Sequence, residues 1–161
     1  MAIKRILVAT DGSATAQAAV AWAADLAAPL GAEVLVISVI DVANLYPGAV
    51  YSPDDETQMR EGLDKELNGA WSEPMREAQV TFRALVREGN PAAVIVKTAA
   101  AEKADLIVMG SRGHGDFIDL FFMGSVAHHV THHARTPIVI VPPSAVPSAQ
   151  PRESVATGAA P

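Results

Sequence analysis

Between Asp105 and Ser125 the chain reads DLIVMGSRGHGDFIDLFFMGS, with glycines at 110, 113, 115 and 124 and a serine at 125. The apolar run Leu106 to Met109 has strand character, and VAHHVTHHA after Ser125 has helix character. A strand that ends in glycines and leads to Gly-Ser at a helix start is suited to holding phosphate. Glycines let backbone N–H groups approach an anion, and the dipole of the following helix favours negative charge at its start. Ser125 adds a hydroxyl that either caps the helix or donates to phosphate. Arg112 and His114 either reach phosphate oxygens or, as the simpler expectation, are solvated loop residues, and Phe117 to Met123 is expected to be a hydrophobic cover or packing element.

A second group with chemical potential lies near the start. Asp11, after the apolar run IKRILVA, either caps the following helix, a role for which Ser13 is equally suited, or accepts from ribose hydroxyls or holds Mg²⁺ through water. A third is HHVTHH, in which His128 and His132, and His129 and His133, stand four apart. On a helix that spacing brings two imidazoles to one face, within reach of a shared Zn²⁺. No acidic residue stands inside the motif, so a helix with partly exposed histidines is the simpler expectation.

These groups need a scaffold, and the pattern supplies one. Ile3 to Ala9, Glu33 to Ile40, Val80 to Val86, Leu106 to Met109 and Pro137 to Val141 read as strands. Helices are expected from Ser13 to about Pro29, from Asp55 to Gln79 with a kink or break near Pro74, after Pro91, and from Ser125 to Ala134. Gly62 and Gly69 weaken the second of these. Residues 41–54 are loop-like. Alternating strands and helices predict an α/β fold with a parallel sheet and helices on both faces. Ligands in such folds bind beyond the carboxyl ends of the strands, at the topological switch point, where the glycine segment falls.

Composition narrows the function. The 161 residues suit one domain, expected over residues 1–143. Residues 144–161, rich in Pro, Ser, Ala and Gly, are expected to form a disordered tail. A net charge of −6 argues against nucleic acid, and a phosphate site here would be built from backbone amides rather than lysines. No apolar run reaches membrane-span length, and the first strand is too short for a signal-peptide core, so a cytoplasmic location is expected. Without cysteine there is no disulfide framework or thiolate metal site.

ILVATDGS, VISVID, GSRG, the later Gly124-Ser125 and the closing PIVIVPP together resemble the universal stress protein (UspA-like) family over about residues 2 to 142. The resemblance implies an open five-stranded parallel sheet of order 3-2-1-4-5. It also implies ATP binding, because the ATP-binding subgroup carries a Gly-x2-Gly-x9-Gly-Ser/Thr pattern. By that resemblance Gly110 lies against the ribose, and Gly113, Gly124 and Ser125 line the phosphates. Asp11 then contacts the adenosine end, and the backbone of Val39 reads adenine. The chain departs in having ten residues, HGDFIDLFFM, between Gly113 and Gly124 rather than nine. Gly115 makes the extra residue easy to absorb.

The expected function is an ATP-binding stress-response regulator, possible Mg²⁺ included, acting through nucleotide-dependent conformation or partner binding. It is expected to be a homodimer through the edge strand Pro137 to Val141. Catalysis is expected to be weak or absent, since no Walker lysine or evident general base is present. The alternatives are a nucleotide-free dimeric interaction module and, less favoured, a slow ATPase using Asp11 and a metal. An FMN site of flavodoxin type would need its phosphate loop after the first strand, where DGSATAQ is poorly suited.

Overall fold

In a computed structural model, residues 2–41, 53–112 and 123–142 are described. Five strands, β1 (Arg5–Ala9), β2 (Glu33–Ile40), β3 (Phe82–Glu88), β4 (Leu106–Gly110) and β5 (Ile138–Val141), form one parallel sheet of order β3-β2-β1-β4-β5. Adjacent pairs include Leu7 with Leu35, Leu7 with Ile107, Leu35 with Arg83 and Met109 with Ile140. The sheet order reverses between β2 and β4 around the central β1, which sets the switch point at the carboxyl ends of β1 and β4.

Both faces are covered, which explains the unbroken apolarity of the central strands. Successive side chains point to opposite faces. Ile6, Val8, Val36 and Val108 meet α1 (Ala14–Leu30), α2 (Pro53–Asn68) and the short α3 (Glu73–Glu77) on one side. Leu7, Ile37, Ile107 and Met109 meet α4 (Pro91–Ala101) and α5 (Ser125–His133) on the other. The alanines of α1 let it lie close to the sheet: Ala19, Ala23 and Ala27 are fully buried.

Helix ends follow their local chemistry. The Ser13 hydroxyl caps α1 by accepting from the Ala16 N–H at 3.3 Å, and Asn90 caps α4 through the Ala93 N–H at 3.1 Å. Gly31, at φ 61°, closes α1 in the left-handed conformation while Ala32 N–H reaches the Ala27 carbonyl at 3.1 Å. Asp11 does not cap the helix directly; its Oδ1 accepts the Ser13 N–H at 3.0 Å, bracing the turn before it.

Several boundaries differ from expectation: β1 begins at Arg5 rather than Ile3, α2 at Pro53 rather than Asp55, and β3 ends at Glu88 rather than Val86. The helix expected over 55–79 breaks at Gly69 rather than at Pro74: α2 ends at Asn68, a 3-10 turn spans Ala70–Ser72, and Pro74 sits in the first turn of α3. Proline lacks an N–H but needs none at a helix start, so it begins the new helix instead of kinking the old one. β3 begins at Phe82, two residues later than expected, because Val80 N–H is spent on closing α3 against the Met75 carbonyl at 2.8 Å. The loop 42–52, the segment 113–122 and the expected tail lie outside the described residues, as does Gly113.

The amino ends of the strands are joined by charge. The Asp105 carboxylate accepts the Lys4 and Arg5 N–H groups at 2.8 and 3.0 Å. Glu33 sits between Arg5 and Arg83, at 2.9 and 2.8 Å, and Arg83 also reaches Glu102 at 2.8 Å. The Arg83 and Arg5 hydrogen bonds hold the Glu33 carboxyl below its ordinary range, and two main-chain donors do the same for Asp105.

Candidate functional site

The opposite edge of the sheet carries a cleft of about 320 Å³. Its floor is made by the ends of β1 (Ala9, Thr10, Asp11) and β4 (Met109, Gly110, Ser111), and β2 contributes Ile37 and Val39. Pro91 and Ile95 of α4 form one wall, and Gly124 with the first turn of α5 forms another. Five expected site residues, Asp11, Val39, Gly110, Gly124 and Ser125, therefore line one cavity. They come from three strand ends and one helix start, up to 114 positions apart by subtraction of their numbers.

Gly124 is buried and Ser125 exposed. Gly124 is the N-cap residue of α5, with φ −58°, and no side chain among the described residues caps that helix. Ser125 is thus the first helical residue rather than the cap. A first-turn N–H has no acceptor within its own helix, so the amides of Ser125, Val126 and Ala127 are available beside the cleft. The described residues on either side of 113–122 are tied together: Gly124 N–H donates to the Ser111 carbonyl at 2.7 Å, and Ser111 N–H to the Val141 carbonyl at 2.9 Å. The Thr15 hydroxyl adds a bond to the Arg112 carbonyl at 2.8 Å.

Gly110 answers a packing demand. A Cβ there would lie 2.9 Å from the Thr15 carbonyl carbon and 3.0 Å from the Ala16 nitrogen. Its missing side chain lets the first turn of α1 meet the end of β4. Gly12, at φ 80°, lies under Trp71, whose Cζ2 would be 2.3 Å from an added Cβ. Trp71 thereby holds the turn that carries Asp11.

Val39 is placed by register. Ile37 carbonyl accepts from Thr10 N–H and Ile40 carbonyl from Gly89 N–H, so these two residues face opposite neighbours. Alternation turns the Val39 N–H and carbonyl the same way as those of Ile37, toward the side from which β1 has already turned off. One donor and one acceptor are thus offered side by side at the strand end.

Other lining residues were missed by the sequence reading or, like Arg112, given the lesser weight there. Ser111 brings an Oγ that is buried without a hydrogen-bond partner among the described residues. Arg112, expected as a solvated loop residue, is half-buried and lines the cleft, so it and Asp11 are the charged side chains there among the described residues. Both follow Gly110 directly in GSRG, so proximity to the glycine was the available signal. Ile95 and Pro91 could not be placed from sequence, because α4 reaches the cleft only through tertiary packing. The histidines of α5 stand on its exposed side, away from the cleft lining. Among the described residues no group of three or more His, Asp or Glu side chains is arranged to hold a metal ion.

An open parallel sheet of order β3-β2-β1-β4-β5 with helices on both faces and a cleft at its switch point defines a doubly wound α/β domain. Residues 2–142 match the universal stress protein family, and the chain belongs to that family. It is 35% identical over 144 residues to a universal stress protein of Thermus aquaticus, encoded in the 3′ region of a QAH/OAS sulfhydrylase, covering 86% of this chain and 98% of that one. The structure of UspA from Lactobacillus plantarum superposes with a TM-score of 0.66 at 26% identity, covering 88% of this chain and 99% of that chain. A universal stress protein crystallised in complex with cAMP superposes with a TM-score of 0.65 at 24% identity, covering 88% and 98%. No helix among the described residues is long and apolar enough to cross a membrane.

Proposed function

We propose that the cleft binds an adenine nucleotide, ATP by the motif, and that the protein is a cytoplasmic homodimeric regulator of the stress response. Nucleotide would act by changing conformation or partner binding. The observation that carries this is the convergence of Asp11, Val39, Gly110, Gly124 and Ser125 on one cavity at the switch point. The cAMP bound by a protein of the same fold supports the choice of ligand class.

The parts suit the parts of a nucleotide. The Val39 N–H and carbonyl form a donor–acceptor pair of the kind an adenine edge requires, and Ile37, Met109 and Ile95 supply apolar surface for the ring. Asp11 accepts from ribose hydroxyls or holds Mg²⁺ through water. The first-turn amides of α5, the Ser125 hydroxyl and Arg112 face phosphate, with Gly113 completing the motif. The unpartnered Ser111 Oγ is a further donor or acceptor beside Gly110.

Donors that recognise ground-state phosphate equally well throughout a reaction lower its free energy without lowering the barrier to hydrolysis. Hydrolysis is therefore expected to be slow or absent. Mass analysis of small molecules released from the denatured, purified protein tests the reading, together with a calorimetric titration with ATP–Mg²⁺. An adenine nucleotide in the first, or saturable heat in the second, is the expected result. Absence of both results would overturn the reading and leave a nucleotide-free interaction module.

A further inference from the structure

We propose that His128 and His132 form a surface chelate for a divalent transition-metal ion, with Zn²⁺ the ion whose geometry fits. One turn of α5 separates the two residues and brings their rings together, with centroids 4.5 Å apart and planes at 61°. Their Nε2 atoms stand 3.2 Å apart. Two Zn–N bonds of about 2.05 Å opened to the tetrahedral angle separate their donors by about 3.3 Å. The separation of the two donors therefore already matches the one that the ion needs.

Without metal the same approach serves an N–H···N hydrogen bond, in which one ring carries its proton on Nε2. Metal replaces that bond when the proton moves to Nδ1, so that both Nε2 lone pairs face the ion. Both tautomers of a neutral imidazole are accessible, and imidazole is a preferred ligand for Zn²⁺.

The neighbouring pair is arranged differently. The Nδ1 atoms of His129 and His133 engage the carbonyls of Ser125 and His129, at 2.9 and 2.8 Å. Their rings lie nearly parallel, at 12°, with centroids 6.2 Å apart, and so do not converge on one ion. The chain thus contains its own comparison, with identical residue types, identical spacing and one helix, but a different ring geometry.

All four histidines are exposed, so the ion has free access, and the net charge of −6 favours cations. No third side chain among the described residues joins the pair, so water completes the coordination. Such a site is open and exchangeable, unlike the closed four-ligand sites that hold a fold together. An ion here ties two successive turns of α5.

Calorimetric titration of the full, tag-free chain with Zn²⁺ provides the test, with His128→Ala, His132→Ala and the double variant His129→Ala/His133→Ala alongside. The parent is expected to bind one ion per chain. Either change at 128 or 132 should weaken binding at least tenfold, and the double variant should stay within about twofold of the parent. In ¹⁵N spectra of the imidazoles, Zn²⁺ should move Nε2 of His128 and His132 before those of the other pair. Absence of saturable binding up to about 1 mM Zn²⁺, equal losses in both sets of variants, or first perturbation at His129 and His133 would overturn the proposal.

Discussion

Gly110 and Gly124 belong to one motif but answer different demands. At Gly110 the first turn of α1 occupies the space of a side chain, at 2.9 Å from Thr15 main chain. Gly110→Ala is therefore expected to destabilise the fold by about 1–3 kcal/mol, the range for overpacking, read as a lower urea midpoint. Gly124 sits at φ −58°, which any residue adopts, so backbone freedom does not require a glycine there, and the proposed nucleotide site gives it a reason: room for phosphate. Gly124→Val should fold normally and bind ATP at least about tenfold more weakly, a change of ~1.4 kcal/mol in calorimetry. Unchanged affinity in that folded variant would refute the phosphate assignment. The family pattern marked Gly110 as facing ribose and Gly124 as facing phosphate, and the contact of Gly110 with Thr15 was invisible because it joins residues distant in the chain. Asp11 was legible as a turn residue, and its bracing of Ser13 rather than capping of α1 was not.

At the scale of elements, each strand was recognisable by its apolar run, since burial on both faces leaves a continuous signal. Ends were less so. The start of β3 depends on how α3 closes, with Gln79 at φ 55° and Val80 bonded to Met75. The break at Gly69 depends on the close carbonyl of Lys65, which lies 2.7 Å from where a Cβ would stand. Register also created the amino-edge cluster, which no local pattern announced: Arg5 lies opposite Glu33 in the β1–β2 ladder. Its carboxylates set a pH dependence. Asp105 and Glu33 are held below their ordinary values in the folded chain, so the unfolded chain takes up protons first as pH falls. Their contribution is complete above the unfolded values, about pH 4, and is lost as pH falls through the lower folded values. Both groups are partly solvated, which keeps the effect modest. Asp105→Asn is expected to lower the urea midpoint at pH 7 and to flatten its fall below pH 4. A parallel fall in parent and variant would exclude Asp105 as a contributor.

For the molecule as a whole, the sheet order leaves β5 at one edge, with Ile138, Val139 and Ile140 only half-buried. An uncovered edge presents unpaired main-chain groups, and a two-fold pairing of two copies closes that edge without propagating. Sedimentation is expected to show a dimer that Val139→Pro shifts toward monomer while the fold remains. A parent that is monomeric at micromolar concentration would refute this arrangement. Truncation after Pro143 should leave the melting temperature and ATP affinity nearly unchanged, because residues 144–161 lack the apolar content to form a core. A drop of several degrees would show that those residues dock. The architecture was readable from strand–helix alternation with the family resemblance. The α4 wall of the cleft was not, because Pro91 and Ile95 reach it only when the crossover has folded back over the sheet.

The placement of Trp71 over Gly12 makes the protein its own optical sensor. The two tryptophans stand in different places: Trp22 is 38% exposed on α1, while Trp71 is half-buried against the turn beside Asp11. A nucleotide in the proposed site would alter the polarity and packing around Trp71, which packs on the turn beside Asp11, and not around Trp22 on α1. In a Trp22→Phe background, emission then comes from Trp71 alone, and its wavelength follows occupancy of the cleft without any attached dye.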